Sequence, residues 1–227
     1  MNGILLVDKE LEWTSFDCVA KIRSLIRSIE SMKIKVGHAG TLDPMATGLM
    51  IILVGSYTKK ADILTKKDKT YQVTMRLGKV STTGDSEGEI TDQSSDQPST
   101  QDIKNAFVQY AGNIEQIPPA YSAIKINGVR AYKLAREGKS IEMKSRPVTI
   151  YSIDLMDYEY PNVTFSTNVS SGTYIRSLVS DIGDTLKTGA YTTDLRRTSI
   201  DKYNVVDAVK INQLSKDNLN KLLITEL

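Results

Sequence analysis

The chain has 227 residues, a formal net charge of +2 and 25% charged side chains, the balance of an ordinary globular protein. No apolar run approaches the roughly 20 residues needed to span a bilayer, and the opening Met1–Asp8 is too short and too soon acidic for a secretory signal. One cysteine, Cys18, excludes an intramolecular disulfide and fits a reducing cytoplasm, and one histidine, His38, leaves too few ligands for the usual zinc site.

In chain order, Ile4–Val7 reads as a short buried strand. Thr14 or Ser15 can cap a helix whose Val19, Ile22, Ile26 and Ile29 recur at helical spacing, with Asp17 favourable in its first turn. Cys18 falls close to the apolar side of that helix and reads as core rather than nucleophile. Residues 35–50 then crowd three glycines, His38 and the Asp43-Pro44 pair into one stretch, followed at once by the apolar run Leu49–Val54. A residue before proline is driven out of the helical region, so Asp43 is expected on a constrained loop leading into a buried strand. A carboxylate held there is a candidate for chemistry.

Tyr71–Leu77 alternates as a strand with one wet face, and Gly84–Gln101 is polar enough for a solvent loop. Ser99 with Asp102 resembles a capping box ahead of an apolar stripe of Ile103, Phe107 and Tyr110. Asn127-Gly128 predicts a hairpin turn, and Val148–Leu155 and Val163–Val169 read as strands. Ser171-Gly172-Thr173 opens a helix with Ile175, Leu178, Val179 and Ile182 inward, and a last helix is expected near Ile211–Leu223. Strands and helices mix without regular βαβ alternation, so the expected fold is α+β on a mixed or mostly antiparallel sheet, in a single domain over 1–227.

Charge is unevenly spread. Residues 59–79 and 130–146 are strongly basic, while the stretch from Asp85 to Asp96 carries five acids and no base. Solvated faces account for such runs, but basic segments on one side would also form a surface for a polyanion.

Three separated stretches together resemble the bacterial tRNA pseudouridine synthase B family. They are Gly37-His38-Ala39-Gly40-Thr41-Leu42-Asp43-Pro44-Met45-Ala46-Thr47-Gly48-Leu49, then Lys69-Thr70-Tyr71 with Leu77-Gly78 and Thr82-Thr83-Gly84-Asp85-Ser86-Glu87-Gly88, and Gly172-Thr173-Tyr174-Ile175-Arg176-Ser177-Leu178 with Leu195-Arg196-Arg197-Thr198. Pro118–Lys125 and Arg146-Pro147-Val148 also look like family segments. The likeness runs in order from about Gly3 to Asp207. There are departures: Asp8-Lys9 is followed by Glu10 where the family usually has proline, and Glu12 stands where it has glycine. A full C-terminal RNA-binding domain of the PUA type is not expected, 208–227 reading as a helical tail.

The resemblance implies isomerisation of uridine to pseudouridine at position 55 in the T-arm of tRNA. The N1–C1′ bond breaks, the uracil turns, and C5 is joined to C1′. No atoms enter or leave, so the stoichiometry calls for no cofactor and no metal. Asp43 matches the catalytic aspartate, acting on C1′ or on the base. Arg176 matches the arginine expected beside it, whose fork keeps a pocketed carboxylate ionised. Tyr71 matches the active-site tyrosine, able to stack on the uracil for roughly 1–3 kcal/mol and to assist removal of the C5 proton. The target base must leave its stack; His38 is suited to touch the flipped nucleotide, while Tyr174 and Leu195 match positions lining the uracil pocket. Lys66, Lys67, Arg130 and Lys133 are candidate phosphate contacts. The expected partner is tRNA, with no membrane, no obligate protein partner and a monomeric state. Three rivals stand beside this reading. A non-catalytic RNA-binding relative would have lost one of Asp43, Tyr71 and Arg176. A glycosidase would need a second carboxylate. The third is the same isomerase on another RNA.

Overall fold

The computed structural model describes residues 1–139 and 141–226. Along the chain run β1 (Gly3–Lys9), α1 (Ser15–Arg27), β2 (Val36–His38), β3 (Ala46–Val54), α2 (Ala61–Thr65), β4 (Lys69–Leu77), β5 (Lys79–Ser81), β6 (Ile90–Asp92), α3 (Thr100–Tyr110) and β7 (Gly112–Gln116). They are followed by β8 (Lys125–Ile126), β9 (Val129–Arg130), α4 (Ala131–Arg136), β10 (Arg146–Glu159), β11 (Asn162–Val169), α5 (Ile175–Thr185), β12 (Ala190–Ile200), β13 (Tyr203–Asn204) and β14 (Val209–Lys210). Mixed pairing flanked by few helices makes this an α+β fold. Two compact units are formed, one from Met1–Tyr71 with Leu195–Leu227 and one from Gln72–Asp194.

In the first unit β1 lies antiparallel to β3, from Gly3 opposite Val54 to Lys9 opposite Gly48. β14 joins β1 in parallel, and Leu195–Arg197 of β12 runs parallel to Ala46–Gly48. Every residue from Gly48 to Val54 is buried, which is why Leu49–Val54 reads as an unbroken apolar run rather than an alternation. Ile4, Leu6, Leu49, Ile51, Leu53 and Ile200 form the core of one cluster. Helix α1 begins where the sequence places it: Thr14 Oγ1 accepts from Asp17 N at 3.1 Å, and Asp17 Oδ2 accepts from Thr14 N at 2.9 Å. Such a cap contributes about 1 kcal/mol. Cys18, Val19, Ile22 and Ile26 are buried by it, but the helix stops at Arg27 and Ile29 is exposed.

In the second unit β10 pairs antiparallel with both β11 and β7. Ser99 caps α3 through the predicted box with Asp102. Phe107 on that helix meets Phe165 of β11 with ring centroids 5.1 Å apart. The hairpin of β8 and β9 turns at Asn127 and Gly128, whose φ angles of 50° and 84° are those of the tight turn that the dipeptide predicts.

The C-terminal expectation fails. Residues after β14 form a short 3-10 turn, Ile211–Gln213, and then irregular turns. Ile211, Leu214 and Leu219 are buried, so their apolar character reflects anchoring rather than a helical stripe. Asn218 supplies the reason: its side chain accepts from Ser215 N at 2.9 Å and donates to Gln213 O at 2.9 Å, offering the backbone partners other than a helix.

Candidate active site

Asp43 sits in the first unit on the loop between β2 and β3, half-buried, with its carbonyl accepting from Ala46 N at 3.1 Å. Three groups fix that loop through its backbone. Ser15 Oγ accepts from Leu42 N at 2.8 Å and lies 2.9 Å from Leu42 O, to which it donates. Lys9, fully buried at the end of β1, donates to Pro44 O at 3.2 Å as well as to Trp13 O at 2.6 Å and Glu10 O at 3.0 Å. Arg197, 1% exposed on β12, donates from Nε to Leu49 O at 2.8 Å, from Nη2 to Gly40 O at 3.2 Å and from Nη1 to Thr41 O at 3.4 Å. The Asp43 loop is therefore gripped on both sides by hydrogen bonds to its peptide groups.

Gly48 shows how closely the pieces fit. Its φ is 103°, and a Cβ there would lie 2.3 Å from the Arg197 carbonyl oxygen, so only glycine lets β12 come alongside. Lys69 is a third buried cation near this segment, donating to Thr65 O at 3.0 Å and Lys67 O at 2.5 Å. Burial, with the charge of Arg197 next, pushes its ammonium down to about 8.

His38 ends β2, opposite Ile52 of β3. Tyr71 lies on β4 and Leu195 on β12, 7% and 6% exposed. Leu195 stands opposite Ala46, the first residue of β3, so β3 carries the Asp43 loop at its start and Leu195 beside it. His38, Asp43, Tyr71 and Leu195 all belong to the first unit.

In the second unit Tyr174 precedes α5 and Arg176 lies in its first turn. The Gln116 side chain holds this entry, donating to Tyr174 O at 3.1 Å and accepting from Tyr174 N at 2.8 Å. Arg176 is buried, with Nη1 3.1 Å from Asp85 Oδ2 and 2.8 Å from Thr83 O, and Nη2 donating to Tyr121 O at 2.8 Å. A guanidinium so held keeps one plane.

Of the basic candidates, Lys66, Arg130 and Lys133 are exposed. Lys67 forms an ion pair with Asp201 at 2.9 Å, which raises its pKa through hydrogen bond and charge. Arg130 closes the β8–β9 hairpin and Lys133 lies on α4 just after it.

Lys9, Asp85, Gln116 and Arg197 receive no role in the sequence analysis, and Ser15 only that of an alternative helix cap. Lys9, Asp85 and Arg197 stand in stretches the resemblance singled out, and Lys9 carries a signal of its own: a charge closing the buried apolar run Ile4–Val7 must find partners. Gln116 and Ser15 carry no comparable mark. Among the described residues, no cluster of three His, Cys, Asp or Glu side chains is arranged as metal ligands would be.

Residues 27–175 match the model of the TruB family pseudouridylate synthase N-terminal domain, and residues 176–223 that of the tRNA pseudouridylate synthase B C-terminal domain. A Clostridium kluyveri protein named tRNA pseudouridine synthase B is 43% identical over 224 residues, 99% of this chain and 76% of its own length. One of the same name from Opitutus terrae is 41% identical over 94% of this chain and 87% of its own. Among solved structures, a chain of a Cbf5–Nop10–Gar1 complex superposes with a TM-score of 0.71 at 28% identity, covering 95% of this chain and 54% of that one. A chain from an H/ACA ribonucleoprotein bound to a substrate RNA containing 2′-deoxyuridine gives 0.69 at 25% identity, over 95% of this chain and 52% of that one.

Proposed function

The chain belongs to the TruB family of pseudouridylate synthases, and from that premise we propose that it converts uridine 55 in the T-arm of tRNA to pseudouridine. The observation that carries the reading is the Asp43 loop: a family-matching aspartate whose neighbouring peptide groups are locked by Lys9, Ser15 and Arg197. Nucleophilic or electrostatic help at a glycosidic carbon requires a carboxylate in a fixed place.

In this reading the T-loop uridine is flipped out and Asp43 supplies the carboxylate for cleavage of N1–C1′. The freed uracil turns against the ring of Tyr71, and the family match assigns Tyr174 and Leu195 as residues that line its pocket. C5 bonds to C1′, the C5 proton leaves with help from the Tyr71 hydroxyl, and N1 gains a proton. Arg176, matched to the family's active-site arginine, orients the catalytic carboxylate, and His38 meets the flipped nucleotide. Lys66, Arg130 and Lys133 contact phosphates; Lys67 joins them only by leaving Asp201. Because one site in one RNA needs no symmetry, the protein acts as a monomer without an obligate protein partner, in the cytoplasm.

Tritium release from 5-tritiated uridine in unmodified tRNA transcript tests the reading directly, comparing wild type with Asp43→Asn in buffer without added metal. Release by wild type alone is expected, with loss of about a thousandfold or more in the variant. Wild-type protein that binds tRNA without releasing tritium would overturn it. Product mapping on tRNA beside rRNA identifies the substrate, modification outside the T-arm counting against position 55.

A further inference from the structure

Within the segment Ser81–Gly88 one residue serves both halves of the buried ion pair. Thr83 Oγ1 donates to Asp85 Oδ1 at 2.5 Å, and the Thr83 carbonyl accepts from Arg176 Nη1 at 2.8 Å. Asp85 Oδ1 also accepts from Glu87 N at 3.0 Å, while Oδ2 faces Arg176 Nη1 at 3.1 Å. Asp85 is 2% exposed and Arg176 6%, so little solvent is at hand to replace a lost bond.

The torsion that sets an aspartate's carboxylate plane is broad, so its hydrogen bonds decide how that plane lies. The Thr83 hydroxyl and Glu87 N–H capture Oδ1, and this directs Oδ2 at the guanidinium. The chain is built to leave room for that hydroxyl. A Cβ on Gly88 would lie 2.5 Å from Thr83 Oγ1, 2.5 Å from Ser81 Oγ and 2.7 Å from Thr83 N, so any other residue there displaces the arrangement. Ser81 Oγ in turn accepts from Thr83 N at 3.3 Å.

We propose that Thr83 is a positioning residue for the isomerisation, acting through Asp85 to set the plane of Arg176; this rests on the pseudouridine synthase reading above. Thr83→Val removes the hydroxyl bond while keeping shape and the backbone carbonyl that Arg176 uses. Thr83→Ser keeps the hydroxyl, and Gly88→Ala displaces it while leaving the residue at position 83 a threonine.

The test is single-turnover pseudouridine formation on T-arm RNA, with the RNA dissociation constant and melting temperature of each variant. Thr83→Val and Gly88→Ala are each expected to slow the rate constant about tenfold or more, with RNA affinity within roughly twofold of wild type. Thr83→Ser is expected to recover the rate to within about threefold. A Thr83→Val or Gly88→Ala protein that reacts at the wild-type rate would overturn the proposal, as would equal losses in rate and affinity. Should Thr83→Val fail to fold, Gly88→Ala and Thr83→Ser decide it between them. An inactive wild type would instead overturn the reading on which it rests.

Discussion

The Asp43 loop of the first unit and the Arg176 fork of the second are fixed by opposite means. Around Asp43 two buried cations, Lys9 and Arg197, meet peptide carbonyls: Pro44 O for the one, Gly40 O, Thr41 O and Leu49 O for the other. Around Arg176 a carboxylate, Asp85, balances the charge, and carbonyls of Thr83 and Tyr121 complete the fork. Carbonyl dipoles satisfy hydrogen-bond donors and hold a backbone in shape, but they do not neutralise a charge. A loop needs its peptides held. A guanidinium needs its plane held and its charge balanced.

The comparison breaks most sharply at Arg176. Arg176→Lys retains the charge but cannot serve Asp85, Thr83 O and Tyr121 O at once. Turnover at saturating tRNA is expected to fall by about a hundredfold or more. Near-wild-type turnover would mean that charge alone suffices and that the fork geometry is incidental.

In the first unit the corresponding change is Lys9→Met. It fills similar volume but leaves the carbonyls of Glu10 and Trp13 without this donor, while Pro44 O keeps the Glu12 N–H at 3.0 Å. Buried acceptors left unsatisfied cost about 1–3 kcal/mol, so urea unfolding should show a loss of about 2 kcal/mol. Turnover should fall with it by about tenfold, because Pro44 adjoins Asp43. Loss of stability without loss of turnover would restrict the carbonyl cage to holding the fold.

What the sequence makes legible follows the range of the interactions. The helix cap expected at Thr14 or Ser15, the Ser99–Asp102 box and the turn at Asn127-Gly128 are local chemistry; the structure puts the first at Thr14 and the other two where the pattern predicts. The fully buried β3 is legible too, because burial on both faces leaves no polar alternation. Asp43 is readable as a constrained carboxylate from its proline and glycines alone. Its supports are not: Lys9 reaches Pro44 across 35 positions and Arg197 reaches Leu49 across 148. No local window pairs a lysine in one strand with a carbonyl in a distant loop. The tail Ile211–Leu223, expected as a helix, departs for a short-range reason instead: the Asn218 side chain bonds Ser215 N and Gln213 O only three and five positions away.

The finest distinction lies at Glu12, where the family usually has glycine. Its φ of 67° is left-handed, and its N–H donates to Pro44 O at 3.0 Å, sharing that oxygen with Lys9. The position demands that φ because the turn must aim this N–H at the loop, so glutamate holds it under strain. A side chain in that region costs roughly 1 kcal/mol relative to glycine, partly offset because glycine loses more entropy on folding. Glu12→Gly is therefore expected to raise stability by about 0.5 kcal/mol in urea unfolding while leaving turnover unchanged, since the N–H to Pro44 is kept. A loss of stability would mean that the Glu12 side chain contributes contacts outweighing its backbone strain. A change in turnover at constant stability would mean instead that the strain itself tunes the Asp43 loop, making this departure from the family pattern a functional one.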